Sequence, residues 1–409
     1  MDKEIKNKNL LIISQGYPCG DVNLSSFVKA QVDQLVPFFS KIYIISPTPY
    51  FPAFLGKLKI FRTLFQDFSK VRNYSYHNVD VFYPKYFTLP LGFLRRRNGK
   101  FAAQAAQRCI IKNNLNFTLI HAHFIWPSGY VAAKLKERYG TKIVITGHGF
   151  DVYSLPFKNS FWKQITLSIL KKADGLITVS ESNLNHIRKL GFDGEVEVIP
   201  NGVSLENFYP VDKKKAREAL GLPNDKKIVL AVGNLVTVKN HKTLINAVFE
   251  LHKKEKDVLL YIIGKGDLEK KLKLQINQLN ASEYIKLIGA KPHNELSLWM
   301  NAADVFALPS YSESFGIVSI EALACGCPVV STRNGGAEEI VVSDDYGYLA
   351  ESPDDANEMC NLLFSALRKE WKVDRMINFV KKYDWTRITE RLLGVYSQIS
   401  KQPESIDSL

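Results

Sequence analysis

Short apolar runs recur along the chain, separated by stretches with helical spacing. Leu10 to Ser14 (LLIIS) and Lys41 to Ser46 (KIYIIS) read as buried strands. The segment between them, FVKAQVDQLVPFF, reads as an amphipathic helix. Thr118 to His121, Lys142 to Thr146 and Gly175 to Ser180 predict three more strands, each followed by a helical pattern. Strands of about 4–6 residues in a β-α-β rhythm predict a parallel sheet covered by helices.

The turn-rich IPNGV at Ile199 to Val203 interrupts this rhythm, which then restarts. Strands are expected at Lys227 to Val232, Val258 to Ile263, Ile285 to Ile288, Asp304 to Ala307 and Pro328 to Ser331, with a helix over Lys242 to Lys254. Asp384 to Ile399 is an amphipathic helical pattern with no strand after it. A chain of 409 residues is too long for one core. The expected organisation is therefore a domain over 1–200, a second over 201–383, and a segment over 384–409 crossing back to the first. The fold class is α/β: two Rossmann-like domains facing a central cleft, the GT-B architecture. Ligands of open α/β sheets bind beyond the carboxyl ends of the strands, which places the chemistry on loops.

Composition narrows the setting. No run approaches the ~18 apolar residues of a membrane span. The N-terminus, MDKEIKNKNLLIIS, passes from polar residues straight into a strand, without a cleavable apolar region, so a cytoplasmic protein is expected. The five cysteines (Cys19, Cys109, Cys325, Cys327 and Cys360) are few and odd in number, unlike a disulfide framework. Cys325 and Cys327 lack a second pair to complete a zinc site. All five read as buried thiols.

Charge changes the picture more. The net charge of +13 is uneven: residues 1–200 hold 27 Lys and Arg against 13 Asp and Glu, and residues 201–409 hold 27 against 28. The first half thus carries +14 and implies an anionic partner: nucleic acid, a bilayer surface or a phosphorylated substrate. Within it, FPAFLGKLKIFRTLFQDFSKVR (51–72) sets Phe54, Leu55, Leu58, Phe61, Phe65 and Phe68 near one helical face, with Lys57, Lys59 and Arg62 mostly elsewhere. Together with Arg95, Arg96 and Arg97 it suits an anionic bilayer. The alternative is an ordinary core-facing helix with solvated lysines.

The chemistry is concentrated in ESFGIVSIE, Glu313 to Glu321. Glu313 falls in a loop and Glu321 inside a helix closed by Gly326 and Pro328. The free N–H groups of Phe315, Gly316 and Ile317 at its start suit a diphosphate. Glu321 lies roughly 7–8 Å along the helix. Glu313 then faces the sugar and Glu321 the ribose. Two solvated acids near a helix start would be the plain alternative.

This segment resembles the E-x7-E signature of family 4 retaining glycosyltransferases, and other segments agree in order. TGHGFDV (Thr146 to Val152) resembles the family's His-Gly-x-Asp loop, and VGNLVTVKN (Val232 to Asn240) its phosphate loop. ADGLITVSESN, VIPNGVSLENFYP and NGGAEEIV match further markers. HAHFIWPSGYVAA (His121 to Ala133) resembles the subgroup that builds bacterial surface polysaccharides. By this resemblance Lys239 is the cation on the donor diphosphate, and Gly233, Ser314 and Gly16 also belong to the donor site. His148, flanked by glycines at a strand end, is expected to be exposed, and by the resemblance it lies by the transferred sugar; Asp151 orients a neighbour or the acceptor. The family often has an arginine where this chain has Asn234, which carries no charge.

The resemblance implies a retaining hexosyltransferase, with a UDP-sugar ahead of a GDP-sugar as donor and a lipid-linked or oligosaccharide acceptor. It would be peripheral at the inner face of the cell membrane. No D-x-D follows a strand, so no metal and no cofactor beyond the nucleotide sugar are expected. Two rivals remain: a nucleotide-sugar epimerase of the same fold, and a non-catalytic protein binding nucleic acid or membrane. The second has no aromatic-basic nucleic-acid motif to support it.

Overall fold

The structure, a computed structural model, describes residues 7–20, 25–50, 71–88 and 94–401, with the side chains of 94 and 95 left aside. The chain divides into two compact units. One is Met1–Pro200 together with Thr386–Leu409; the other is Asn201–Trp385.

Among the described residues the first unit has ten strands: β1 (Asn9–Ser14), β2 (Lys41–Ile45), β3 (Thr48–Tyr50), β4 (Tyr74–Tyr76), β5 (Val79–Phe82), β6 (Lys85–Phe87), β7 (Leu119–His123), β8 (Lys142–Gly147), β9 (Gly175–Thr178) and β10 (Glu197–Val198). Eight form one sheet in the order β10-β9-β8-β7-β1-β2-β5-β4, and β3 pairs with β6 apart from it. All pairs are parallel except β4 with β5, an antiparallel edge. Leu10, Leu11, Ile12 and Ile13 are all buried, which is why β1 is a continuous apolar run: both faces are covered. On one face the helix Asn98–Lys112 presents Ala102, Ala103, Ala105 and Ala106, small enough for close approach.

The helix Trp385–Lys401 packs its Thr386–Lys401 part on this unit, through Val395, Tyr396 and Ile399. Gly175 at the start of β9 permits this, since a Cβ there would lie 2.3 Å from the Cδ1 of Ile399.

The second unit has six strands: β11 (Lys227–Val232), β12 (Val258–Ile263), β13 (Ile285–Gly289), β14 (Val305–Leu308), β15 (Val329–Thr332) and β16 (Gly347–Ala350). Their order is β13-β12-β11-β14-β15-β16, parallel throughout. Leu244, Ala247, Val248 and Leu251 of the helix His241–Lys254 join Val229, Ala231, Leu260 and Ile262 in its core. The chain builds outward from β11 through β12 to β13, then restarts on the other side of β11 with β14, β15 and β16, so the order reverses between β11 and β14; ligands of such sheets bind at this point.

The apolar runs announced the central strands of both sheets. Strands β3 to β6, β10 and β16 were not expected: they are short, mixed in composition and lie toward the sheet margins. Cys325, Cys327 and Cys360 are buried, but Cys19 and Cys109 are only half-buried, a correction to the expectation for all five. The Phe-rich basic segment, with Lys57, Lys59, Phe61, Arg62 and Phe65, lies outside the described residues, as does the side chain of Arg95.

Candidate active site

In the second unit the chain leaves β11 through Gly233 and Asn234 and enters a tight turn at Thr237–Lys239. Asn240 follows in the left-handed region, at φ 48°. This folds Lys239 back over Gly233, where a Cβ would lie 3.5 Å from the lysine Cδ. The Lys239 Nζ is 2.5 Å from Oε1 of Glu313. Ser310 Oγ donates to the same oxygen at 2.6 Å. The sequence named both Lys239 and Glu313, but their pairing is visible only in the structure. Next to them His241 is buried, and burial, then Lys239, push its imidazole down to about 4, so it is neutral near pH 7.

The Glu313 N–H donates to the carbonyl of Asn334 at 2.9 Å. That loop is braced by its own side chains. Asn334 Oδ1 accepts from the N–H groups of Gly336 and Ala337, and Glu338 Oε2 accepts from those of Asn334 and Gly335. Gly336 presses on the backbone of Phe315; a Cβ there would lie 2.7 Å from the Phe315 carbonyl oxygen. Gly316, at φ 86°, opens the helix Ile317–Ala324. The first N–H groups of a helix have no partner within it, and this end attracts anions. Phe315 is buried, while Ser314, Gly316 and Ile317 are half-buried.

Glu321 is buried at 3% exposure. Its Oε1 accepts from His293 Nε2 at 2.7 Å, and its Oε2 is buried with no partner among the described residues. The carboxylate hydrogen bond holds the His293 imidazole above its ordinary value. Sequence reasoning missed His293: it opens the helix His293–Ala302, and nothing in its own segment links it to Glu321.

In the first unit the strand ends carry a chain of rings. His121 Nδ1 bonds Tyr396 Oη at 2.6 Å and its Nε2 bonds Thr146 Oγ1 at 2.8 Å. His123 Nδ1 bonds His148 Nε2 at 2.9 Å, leaving His123 Nε2 and His148 Nδ1 buried without partners among the described residues. His148 was expected to be exposed; it is 6% exposed, packed against Phe27, Phe124 and His123 at centroid distances of 4.8, 4.9 and 5.2 Å. Burial, then His123, hold it well below its ordinary value, so it is a neutral ring.

Asp151 is also buried. Its Oδ2 accepts from the Ile125 N–H, and its Oδ1 from those of His148 and Gly149. It therefore orients the loop that carries His148, with both oxygens occupied by backbone. Gly16, at φ 75°, is buried beyond β1.

Of the remaining expected residues, Asn234 is exposed. Arg96 stacks over Phe161 at 4.5 Å, and Arg97 is exposed. Lys29 pairs with Asp33 at 2.7 Å. Asp345 pairs with Arg375, Asp354 accepts from Tyr311, and Asp355 caps the helix Ala356–Arg368.

Residues 212–383 match the family model described as Glycosyl transferases group 1, and residues 60–207 match that of Glycosyltransferase Family 4. The chain is 30% identical over 303 residues to D-inositol 3-phosphate glycosyltransferase 2 of Catenulispora acidiphila, covering 69% of this chain and 71% of that one. Sucrose-phosphate synthase from Thermosynechococcus elongatus superposes with a TM-score of 0.78 at 22% identity, covering 96% of this chain and 99% of that one. Anabaena HepE, solved in complex with UDP, superposes at 0.73 with 20% identity, covering 96% and 100%. Two Rossmann-like units of this topology are the GT-B fold. Both family models and the curated relative agree on the lineage: the chain belongs to glycosyltransferase family 4.

Proposed function

We propose that the protein is a retaining hexosyltransferase that uses a nucleotide sugar, UDP-linked ahead of GDP-linked, and a lipid-linked or oligosaccharide acceptor in bacterial surface polysaccharide synthesis. One observation carries the reading. The Lys239–Glu313 pair stands beside the helix start at Gly316, with the free oxygen of Glu321 buried in that same helix. Lys239 and the helix N-terminus take the diphosphate, Glu313 takes the sugar hydroxyls, and Glu321 takes the ribose.

The acceptor belongs to the first unit. Residues 1–200 carry the excess positive charge. A cavity of about 270 Å³ in this unit is lined by Lys85, Arg108 and Lys112 and by no carboxylate. The relative's name, D-inositol 3-phosphate glycosyltransferase 2, also describes an anionic acceptor. An anionic lipid-linked acceptor would place the enzyme at the inner membrane face.

Retention by double displacement needs a carboxylate on the far face of the sugar. Glu313 is held by Lys239, and Asp151 is committed to backbone N–H groups. The reading therefore favours front-face attack, with the leaving diphosphate accepting the acceptor's proton. Lys239 and the helix N-terminus stabilise that leaving group without a metal. The test is a screen of UDP- and GDP-sugars with a bacterial lipid extract as acceptor, followed by NMR of the product anomer. An inverted anomer would overturn the mechanism, and an epimerised sugar nucleotide without transfer would overturn the reaction class.

A further inference from the structure

The donor site as described has one cation, and that cation already faces an acid. Lys239 sits 2.5 Å from Glu313. A multiply charged diphosphate needs more positive charge than this pair leaves over. The neighbouring loop offers it.

Strands β11 and β12 run parallel with Val232 opposite Ile263. The ladder does not stop there. The Gly233 N–H donates to the Ile263 carbonyl at 2.9 Å, and the Leu235 N–H to the Lys265 carbonyl at 2.9 Å. Continued in this register, Gly233 faces Gly264 and Asn234 faces Lys265. Paired residues of adjacent strands lie about 4.8 Å apart with side chains on one face.

The two glycines beside Lys265 make the approach possible. A Cβ on Gly264, at φ 155°, would lie 1.9 Å from the Gly233 carbonyl oxygen, and one on Gly266 would lie 2.5 Å from that of Leu235. Of residues 264–266 only Lys265 carries a side chain, and the exposed Asp267 follows. Lys265 is exposed and has no ion pair or hydrogen bond through its ammonium among the described residues.

We propose that Lys265 is the second cation of the donor-diphosphate site, placed one strand over from the uncharged Asn234. The inference rests on the reading that Lys239 marks that site. The loop after β12 brings the charge that the loop after β11 lacks, and Lys265 engages the phosphate farther from Glu313.

Calorimetric titration of UDP and UMP, with GDP and GMP in parallel, into the full chain tests it. Lys265→Gln should weaken diphosphate binding about tenfold, the order expected for one charge-assisted contact. It should change monophosphate binding by less, and it should flatten the fall in diphosphate affinity with salt. Lys265→Arg should restore most of the loss. Wild-type diphosphate affinity in Lys265→Gln, with Lys239→Gln weakened, overturns the inference and leaves the donor site standing. Wild-type affinity in both variants removes the donor-site reading along with it.

Discussion

His293, at the start of its helix, holds Oε1 of Glu321 at 2.7 Å and leaves Oε2 buried and open. The imidazole therefore leaves a single carboxylate oxygen for the proposed ribose contact. It also makes the second unit sensitive to pH. The His293 value in the folded chain is raised by the carboxylate. Its contribution to stability is complete below its unfolded value of about 6.5 and is lost as pH rises through the higher folded value. Melting of wild type and His293→Gln across pH 5.5–9 should show a stability gap that is widest at low pH and closes as pH rises. A gap that does not vary with pH counts against the ionic part of this contact. Glu321→Ala should weaken nucleoside diphosphate binding by roughly 1–3 kcal/mol, as for a lost hydrogen bond to a charged group.

Glu313 and Lys239 predict a different balance. In Glu313→Gln the ammonium loses its partner at 2.5 Å and turns wholly to phosphate. Free nucleotide should bind as well as in wild type or better. Turnover should fall about 100-fold, the scale for losing one preorganised contact to the reacting group. Steady-state rates paired with calorimetry separate the two effects. Weaker nucleotide binding with normal turnover would reverse the assignment.

What the sequence disclosed follows from how each feature is encoded. The central strands are contiguous apolar runs such as LLII and VLLYII, buried on both faces, so local pattern suffices. Gly233, Lys239 and Glu313 were singled out because they sit in short ordered segments, and the fold brings the three together. Pairings across the fold were not. His293 and Glu321 are 28 residues apart, and His121 meets Tyr396 across 275. His148 was expected at the surface because glycines flank it. Its burial comes from Phe27, on the helix Ser26–Leu35, and from Phe124, held at φ 75°. Only the packed sheet brings those rings together.

Asp151 tests whether the His148 loop is positioned from beneath. Its carboxylate accepts three backbone N–H groups, and burial pushes its value up while those amides pull it down. Asp151→Asn keeps the shape but turns one acceptor into a donor facing an N–H. The loss should be roughly 1–3 kcal/mol of stability in chemical denaturation, with a fall in turnover and little change in nucleotide affinity. An unaltered midpoint and rate would show that the loop holds without it.

Chelation tests the electrostatics of the leaving group. In the proposed site Lys239 and the open helix start supply the positive charge for the departing diphosphate. Initial rates in excess EDTA should equal those with magnesium, apart from product release. Complete and reversible loss of activity on chelation would mean that a cation shares that work.

The first unit should meet membranes through charge before it meets them through apolar contact. Residues 1–200 carry 27 basic against 13 acidic side chains. Each Lys or Arg near an anionic surface contributes about 1 kcal/mol, and the effect decays within a Debye length. Sedimentation with vesicles should therefore require anionic lipid and fall steeply as salt rises. The phenylalanines of 51–72 should add a term that salt does not remove. Two variants separate these contributions: Lys57→Glu with Lys59→Glu and Arg62→Glu removes the salt-sensitive part, and Phe61→Ser with Phe65→Ser removes the residue left at high salt. Circular dichroism checks that both remain folded. If both sediment like wild type, this segment is not the docking element, and the exposed Arg96 and Arg97 become the next pair to replace. If wild type itself ignores anionic vesicles, the acceptor must come to the enzyme from solution, which would favour a soluble phosphorylated sugar over a lipid-linked one.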